Sequence, residues 1–86
     1  MTHELEIKLP FANAIVSGNM TFIVHPNDHG FQKDDIIKFK VRDEYGVFVS
    51  GHFLEKETYQ ITYVLSGYGI KDGYVAFSIK QVRGDI

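Results

Sequence analysis

The chain has 86 residues, 44% of them hydrophobic and 14% aromatic, and no cysteine. That length holds one domain and excludes a multidomain enzyme or a doubly wound cofactor domain; the missing thiol excludes a disulfide-stapled fold and any thiolate metal or redox centre. Nine Lys and Arg against eleven Asp and Glu give a net charge of −2, which excludes nucleic-acid binding driven mainly by phosphate neutralisation.

From Glu4 to Leu9, the polar Glu4, Glu6 and Lys8 alternate with Leu5, Ile7 and Leu9, the period of a half-buried strand. Pro10 ends it and suits the first turn of a helix, where no N–H is needed. The spacing predicts a short helix over Phe11–Ser17, with Phe11, Ala14 and Ile15 on its inner face and Gly18 as a left-handed cap. So short a helix must dock on a sheet. Thr21–His25 is apolar and β-branched and reads as a strand. The run Pro26-Asn27-Asp28-His29-Gly30 is dense in turn formers and reads as a loop. Phe31 follows, and Lys33-Asp34-Asp35 makes a second polar turn.

Ile36–Arg42 is the clearest strand, with Ile37, Phe39 and Val41 on one face and Lys38, Lys40 and Arg42 on the other. Asp43-Glu44-Tyr45-Gly46 reads as a hairpin turn, and Val47–Leu54 as the strand it leads into, bent at Gly51. Thr58–Leu65 continues with Tyr59, Ile61, Tyr63 and Leu65 on one face, and Glu55-Lys56-Glu57 reads as a bulge or solvated strand. The loop Ser66–Gly73 carries glycines at 67, 69 and 73 but lacks the Lys-Ser/Thr and the helix of a phosphate-binding loop. Tyr74–Val82 is the last strand, with Val75, Phe77 and Ile79 inward, and Arg83–Ile86 a frayed tail. Five or six strands joined by turns make the fold class mainly β with one short helix. A single small sheet must curl to enclose a core, so a mixed, mostly antiparallel β-barrel plugged by the helix is expected. There is no long apolar run, and the start Met-Thr-His-Glu-Leu-Glu is not that of a signal peptide. The expected location is therefore the cytoplasm, with no membrane partner.

Several short motifs fall in a suggestive order: His3-Glu4-Leu5, Ser17-Gly18, Thr21-Phe22, Asn27-Asp28, Phe31-Gln32 before Asp35, Tyr63-Val64-Leu65, Gly69 and Gly73-Tyr74-Val75. With them the chain resembles the activating signal cointegrator homology (ASCH) domain family of the PUA-like superfamily. Within that group it is most similar to the short bacterial and phage branch. The likeness runs from His3 to about Ile79. It implies a PUA-like barrel with a cleft between helix and sheet, and RNA, a nucleotide or a modified nucleoside as ligand. One branch of the family deacylates N4-acetylcytidine. The family's cleft pattern is G-x-K-x-x-E-x-R, with Thr for Glu in the amidohydrolases. Here Gly18 keeps the first position, while Met20, Ile23 and His25 stand where Lys, Glu or Thr, and Arg are expected. Amide hydrolysis needs an activated nucleophile or water and a base within reach, and neither Met20 nor Ile23 can ionise or attack.

The expectation is therefore a non-catalytic binding module, with Asn19, Thr21, His25, Asn27 and Tyr68 as ligand-binding residues and no catalytic residue or cofactor. Two alternatives stay open: a diverged amidohydrolase acting on an acylated nucleoside, and a module that binds another protein through a sheet edge. His25 and His29 flank Asp28, but on a turn this spacing has none of the meaning it has on a helix, and no metal is expected. His25 reads either as a cleft contact or as a strand-end residue bonded to the turn. Lys38, Lys40 and Arg42 read as a solvated or edge-guarding stripe, or as a phosphate track. Phe31, Tyr68 and Tyr74 either cap the ends of the barrel or stack on bases.

Overall fold

A computed structural model describes residues 1–82; the tail expected at 83–86 lies outside the described residues. The elements are β1 (Thr2–Lys8), α1 (Leu9–Val16), β2 (Phe22–Pro26), β3 (Ile36–Arg42), a 3-10 turn (Phe53–Lys56), β4 (Thr58–Leu65) and β5 (Tyr74–Val82). They form one curled five-stranded sheet in the order β1-β3-β4-β5-β2, a half-barrel over a single core. The fold is mainly β with one α-helix, and the sheet is mixed: β1 and β3 run parallel and the other pairings antiparallel. The expectation that only turns link the strands is corrected here. A parallel pair needs a long crossover, and α1, β2 and the loop to Asp35 supply it.

Pro10 sits in the first turn of α1 as expected, but the helix starts earlier than predicted, at Leu9. Ala12 and Ile15 take the inner face, and Phe11 is left 49% exposed at the rim. Ser17 and Gly18 donate back to the carbonyls of Asn13 and Ile15, and Gly18 adopts φ +85°, a conformation that costs glycine little and a residue with a Cβ more.

Val47–Leu54 is not a strand. Its one ladder contact is an isolated bridge from Phe48 to Arg42. The Asp43 carboxylate accepts the N–H groups of Tyr45 and Val47, and Gly46 and Gly51 both turn at φ +79°. His52 Nδ1 then accepts the Leu54 N–H at 3.0 Å and caps the 3-10 turn. These local bonds outcompete a ladder. They drive Leu54 fully into the core and bring Glu55 to the Val41 N–H at 2.9 Å. β4 carries a second difference, a register shift between Ile61 and Tyr63. One extra residue reverses the alternation beyond it, so Tyr63 is 64% exposed and Val64 packs on the core.

The core centres on Phe77, Ile37, Leu54, Ile61 and Val41. At one end Phe31, 5% exposed, packs on Phe77 at 4.9 Å between ring centroids and on the ring of His3 at 4.7 Å. It is a core residue. His3 extends the inward row of Leu5 and is itself buried. Its Nε2 meets Asp35 Oδ2 at 2.8 Å, and the Gln32 N–H donates to the same oxygen at 3.1 Å. These bonds hold the Asp35 carboxyl below the usual carboxylate range, the contact with His3 contributing most. His3, Gln32 and Asp35 thus bolt the start of β1 to the loop before β3.

Candidate functional site

β1 and β2 are the two edges of the sheet. The half-barrel is therefore open along the seam between them. β2 is a short strand paired with β5 on one side, and its other edge borders the groove.

The seam is a groove of about 410 Å³ lined by Glu6, Ile7, Lys8, Phe11, Met20, Phe22, Ile23, Val24 and His25. Its floor is apolar. Ile23 is buried, and Met20 and Ile7 pack on the core from the margin. Phe11, Phe22 and Val24 stand about half exposed along the walls. The groove continues past His25 into a polar recess of about 380 Å³, lined by Glu4, Leu5, Glu6, His25, Asp28 and His29. Glu6 and His25 belong to both parts.

The polar recess is set by the 26–31 loop and the outer face of β1. His29 stacks on Phe31, with ring planes 3° apart and centroids at 5.3 Å, and His25 meets the same ring edge-on at 5.5 Å. Phe31 thus carries both histidines. His25 Nδ1 lies 2.9 Å from the Pro26 carbonyl oxygen; a carbonyl only accepts, so Nδ1 carries the proton and Nε2 is the free nitrogen. Asp28 Oδ1 is 3.8 Å from His25 Nδ1 and 3.5 Å from His29 Nε2. Glu6 is taken by Arg42 in a two-pronged pair, 2.8 and 3.0 Å, which holds its carboxyl below the usual range. Arg42 also lies 3.9 Å over the Phe48 ring. With Glu6 paired to Arg42, the carboxylates of Glu4 and Asp28 remain beside the two histidines and make the recess receptive to hydrogen-bond donors. Among the described residues no group of three His, Asp or Glu is arranged to hold a metal ion.

The residues expected to bind ligand are spread around this site. His25 lines both parts of the groove. Thr21 lines a separate depression of about 310 Å³ on the far side of Met20, with Tyr59 and Ile79, and its carbonyl accepts the Ile79 N–H. Asn19 is exposed in the turn after α1, its N–H given to Ala14. Asn27 is exposed on the loop after β2 and donates its N–H to Gly73 at 2.8 Å. Tyr68, 94% exposed, sits on the β4–β5 loop at φ +52°. The structure therefore gathers Met20, Ile23 and His25, and leaves Asn19, Thr21 and Tyr68 off the groove. Sequence reasoning missed the facing wall, Ile7, Lys8 and Phe11, and the exposed Phe22 and Val24 on β2 itself. The signal was weak, since only the helical phase of Phe11 separates it from core. Lys38, Lys40 and Arg42 prove to lie on an inner strand, opposite Glu4, Glu6 and Lys8 across the β1–β3 ladder, so they guard no edge.

The chain belongs to the family described as "Domain of unknown function (DUF3850)", whose sequence profile matches residues 2–79. A search of curated proteins finds no match to it. No helix among the described residues is long and apolar enough to cross a membrane.

Proposed function

We propose that the chain is a non-catalytic module that takes an RNA base or a free, modified nucleoside into the β1–β2 groove. The observation that carries this reading is the convergence of Met20, Ile23 and His25 on one groove wall. These are the three positions that the ASCH, PUA-like resemblance assigns to the ligand cleft. The volume, about 410 Å³, falls in the range of small-molecule sites. A flat heterocycle would lie against Met20, Ile23 and Phe11. Its amino groups would face Glu4 and Asp28, and His25 Nε2 would offer one acceptor. The carboxylates argue for a base or nucleoside over a phosphate-led contact.

The amidohydrolase reading has less to stand on. Acyl transfer needs a nucleophile and a base in mutual reach, and Met20 and Ile23 supply neither.

The test is a panel of nucleosides, N4-acetylcytidine among them, and short single-stranded RNAs, followed by NMR of the isotope-labelled chain. Shifts concentrated on Phe11, the Met20 methyl, Ile23 and His25 are expected. Shifts confined to Tyr68 and the β4–β5 loop, or none, overturn the groove as the site. Release of acetate from N4-acetylcytidine by purified protein overturns the non-catalytic reading.

A further inference from the structure

β1 and β2 each pair on one side only, and the alternation of their hydrogen bonds fixes which backbone groups turn to the seam. In the β1–β3 ladder the Ile36 N–H donates to the Met1 carbonyl, and the register runs unbroken from Thr2 opposite Ile36 to Lys8 opposite Arg42. His3, Leu5 and Ile7 therefore give their N–H and C=O groups to β3, while Glu4 and Glu6 turn theirs to the open edge. In the β2–β5 ladder the Ile79 N–H donates to the Thr21 carbonyl and the Asn27 N–H to that of Gly73. In the same register Ile23 and His25 bond to β5, while Phe22, Val24 and Pro26 turn their backbone groups to the seam. A proline there costs the ladder nothing, and its carbonyl is taken by the His25 ring. Among the described residues nothing bonds the backbone N–H and C=O groups of Glu4, Glu6, Phe22 and Val24. The two edges run antiparallel to each other, and their Cα atoms stay more than 8 Å apart over nearly all their length. Paired strands lie about 4.8 Å apart, so the seam is wider than one strand spacing, yet both rims line a single groove.

We infer that the seam is a strand-addition site, its occupant an extended peptide segment of a partner protein that enters between β1 and β2 and completes the barrel. Two observations select that occupant. Unpaired donors and acceptors recur along both rims, and an extended backbone, whose successive residues turn their polar groups to opposite sides, satisfies both rims at once. A compact apolar partner would bury these groups unpaired, at a cost. The second observation is charge. Side chains of the added strand alternate between the apolar floor, at Ile23 and Met20, and the outer rim. On the rim Glu6 is held by Arg42, Lys38 and Lys40 stand on the β3 side of Glu4 and Glu6, and Lys8 lies at the helix end of the groove. Glu4 and Asp28, at the recess end, have no Lys or Arg within 4 Å among the described residues. The segment therefore alternates apolar with polar residues and brings a lysine or arginine to the recess end. This inference goes beyond the nucleoside reading and does not rest on it; the two ligands fill one groove and exclude each other.

The experiment titrates the isotope-labelled full chain with the blocked peptide acetyl-Val-Lys-Val-Lys-Val-amide and reads amide hydrogen exchange by NMR. In the free chain the amides of Glu4, Glu6, Phe22 and Val24 should exchange faster than those of Leu5, Ile7 and Ile23, and the peptide should slow the first four about tenfold or more. Val24→Pro removes one edge donor and no ladder bond, so it should weaken binding about tenfold or more with the far-UV circular dichroism of the parent. The same peptide N-methylated at both lysines should bind the unchanged chain about tenfold more weakly or worse, which decides the matter if the variant fails to fold. Replacing both lysines of the peptide by glutamates should weaken it as well. No binding of the lysine peptide at millimolar concentration overturns the inference. So does binding that leaves the four edge amides unprotected or that N-methylation does not weaken, and so do edge amides already as slow as Leu5 and Ile23 in the free chain. Equal binding of the glutamate peptide overturns the choice of a basic segment.

Discussion

Replacing Phe31 with Ala should be among the costlier single changes in this chain. The ring is 5% exposed and touches Phe77, His3, His25 and His29 at centroid distances of 4.9, 4.7, 5.5 and 5.3 Å. Losing the buried ring removes about 2–3 kcal/mol of transfer free energy, and the cavity adds to that unless the site collapses. His25 and His29 have side chains 25% and 39% exposed, so the outer half of the cavity can close or admit water. This places the cost near the lower end of the range for such truncations, about 3 kcal/mol. A domain of this length is stable by only about 4–13 kcal/mol, so the melting temperature should fall by roughly 12–24 °C. Phe31→Leu keeps most of the volume and should cost about 1–1.5 kcal/mol. Urea denaturation followed by far-UV circular dichroism and tyrosine fluorescence measures both, the chain having no tryptophan. An Ala variant within about 1 kcal/mol of the parent, or a Leu variant as damaged as the Ala variant, would refute the placement of Phe31 as the support of the histidine loop.

Asp35→Ala leaves the Gln32 N–H and the buried His3 ring without their acceptor and should cost about 2–3 kcal/mol at neutral pH. Because folding lowers the Asp35 pKa, its contribution is whole above the ordinary carboxylate value and fades as pH falls through the folded one; the stability–pH profile of the variant should therefore lack part of the parent's acid limb, and identical limbs would speak against the bolt. Gly18→Ala meets nothing within 4 Å but is held at φ +85°, so thermal denaturation should report a loss of about 1–2 kcal/mol from backbone strain alone. Ile23→Glu puts a carboxylate at a position 6% exposed and should cost about 3 kcal/mol or more, while adding Met20→Lys, whose side chain shares the groove, should recover part of it; a double-mutant cycle with no coupling would show that the two positions do not meet.

The strands at β1, β3 and β5 were legible because alternation is a local property: each apolar row already names its buried face, whatever it packs against. Pro10 and Gly18 were legible for the same reason, since the proline ring fixes φ and removes a donor, while the missing Cβ of glycine permits the left-handed turn that ends a helix. What the chain did not disclose depends on partners distant in sequence. The 47–54 segment has strand-forming residues, yet side-chain-to-backbone bonds from Asp43 and His52 decide its shape. Tyr63 reads as inward until the register shift beside it reverses the row. His3 gains its meaning only from Asp35, 32 residues on, and Glu6 only from Arg42, 36 residues on. Above all, the parallel pairing of β1 with β3 makes β1 and β2 the sheet edges. The seam they leave is a relation between two strands that never pair, and no periodicity within either strand encodes it.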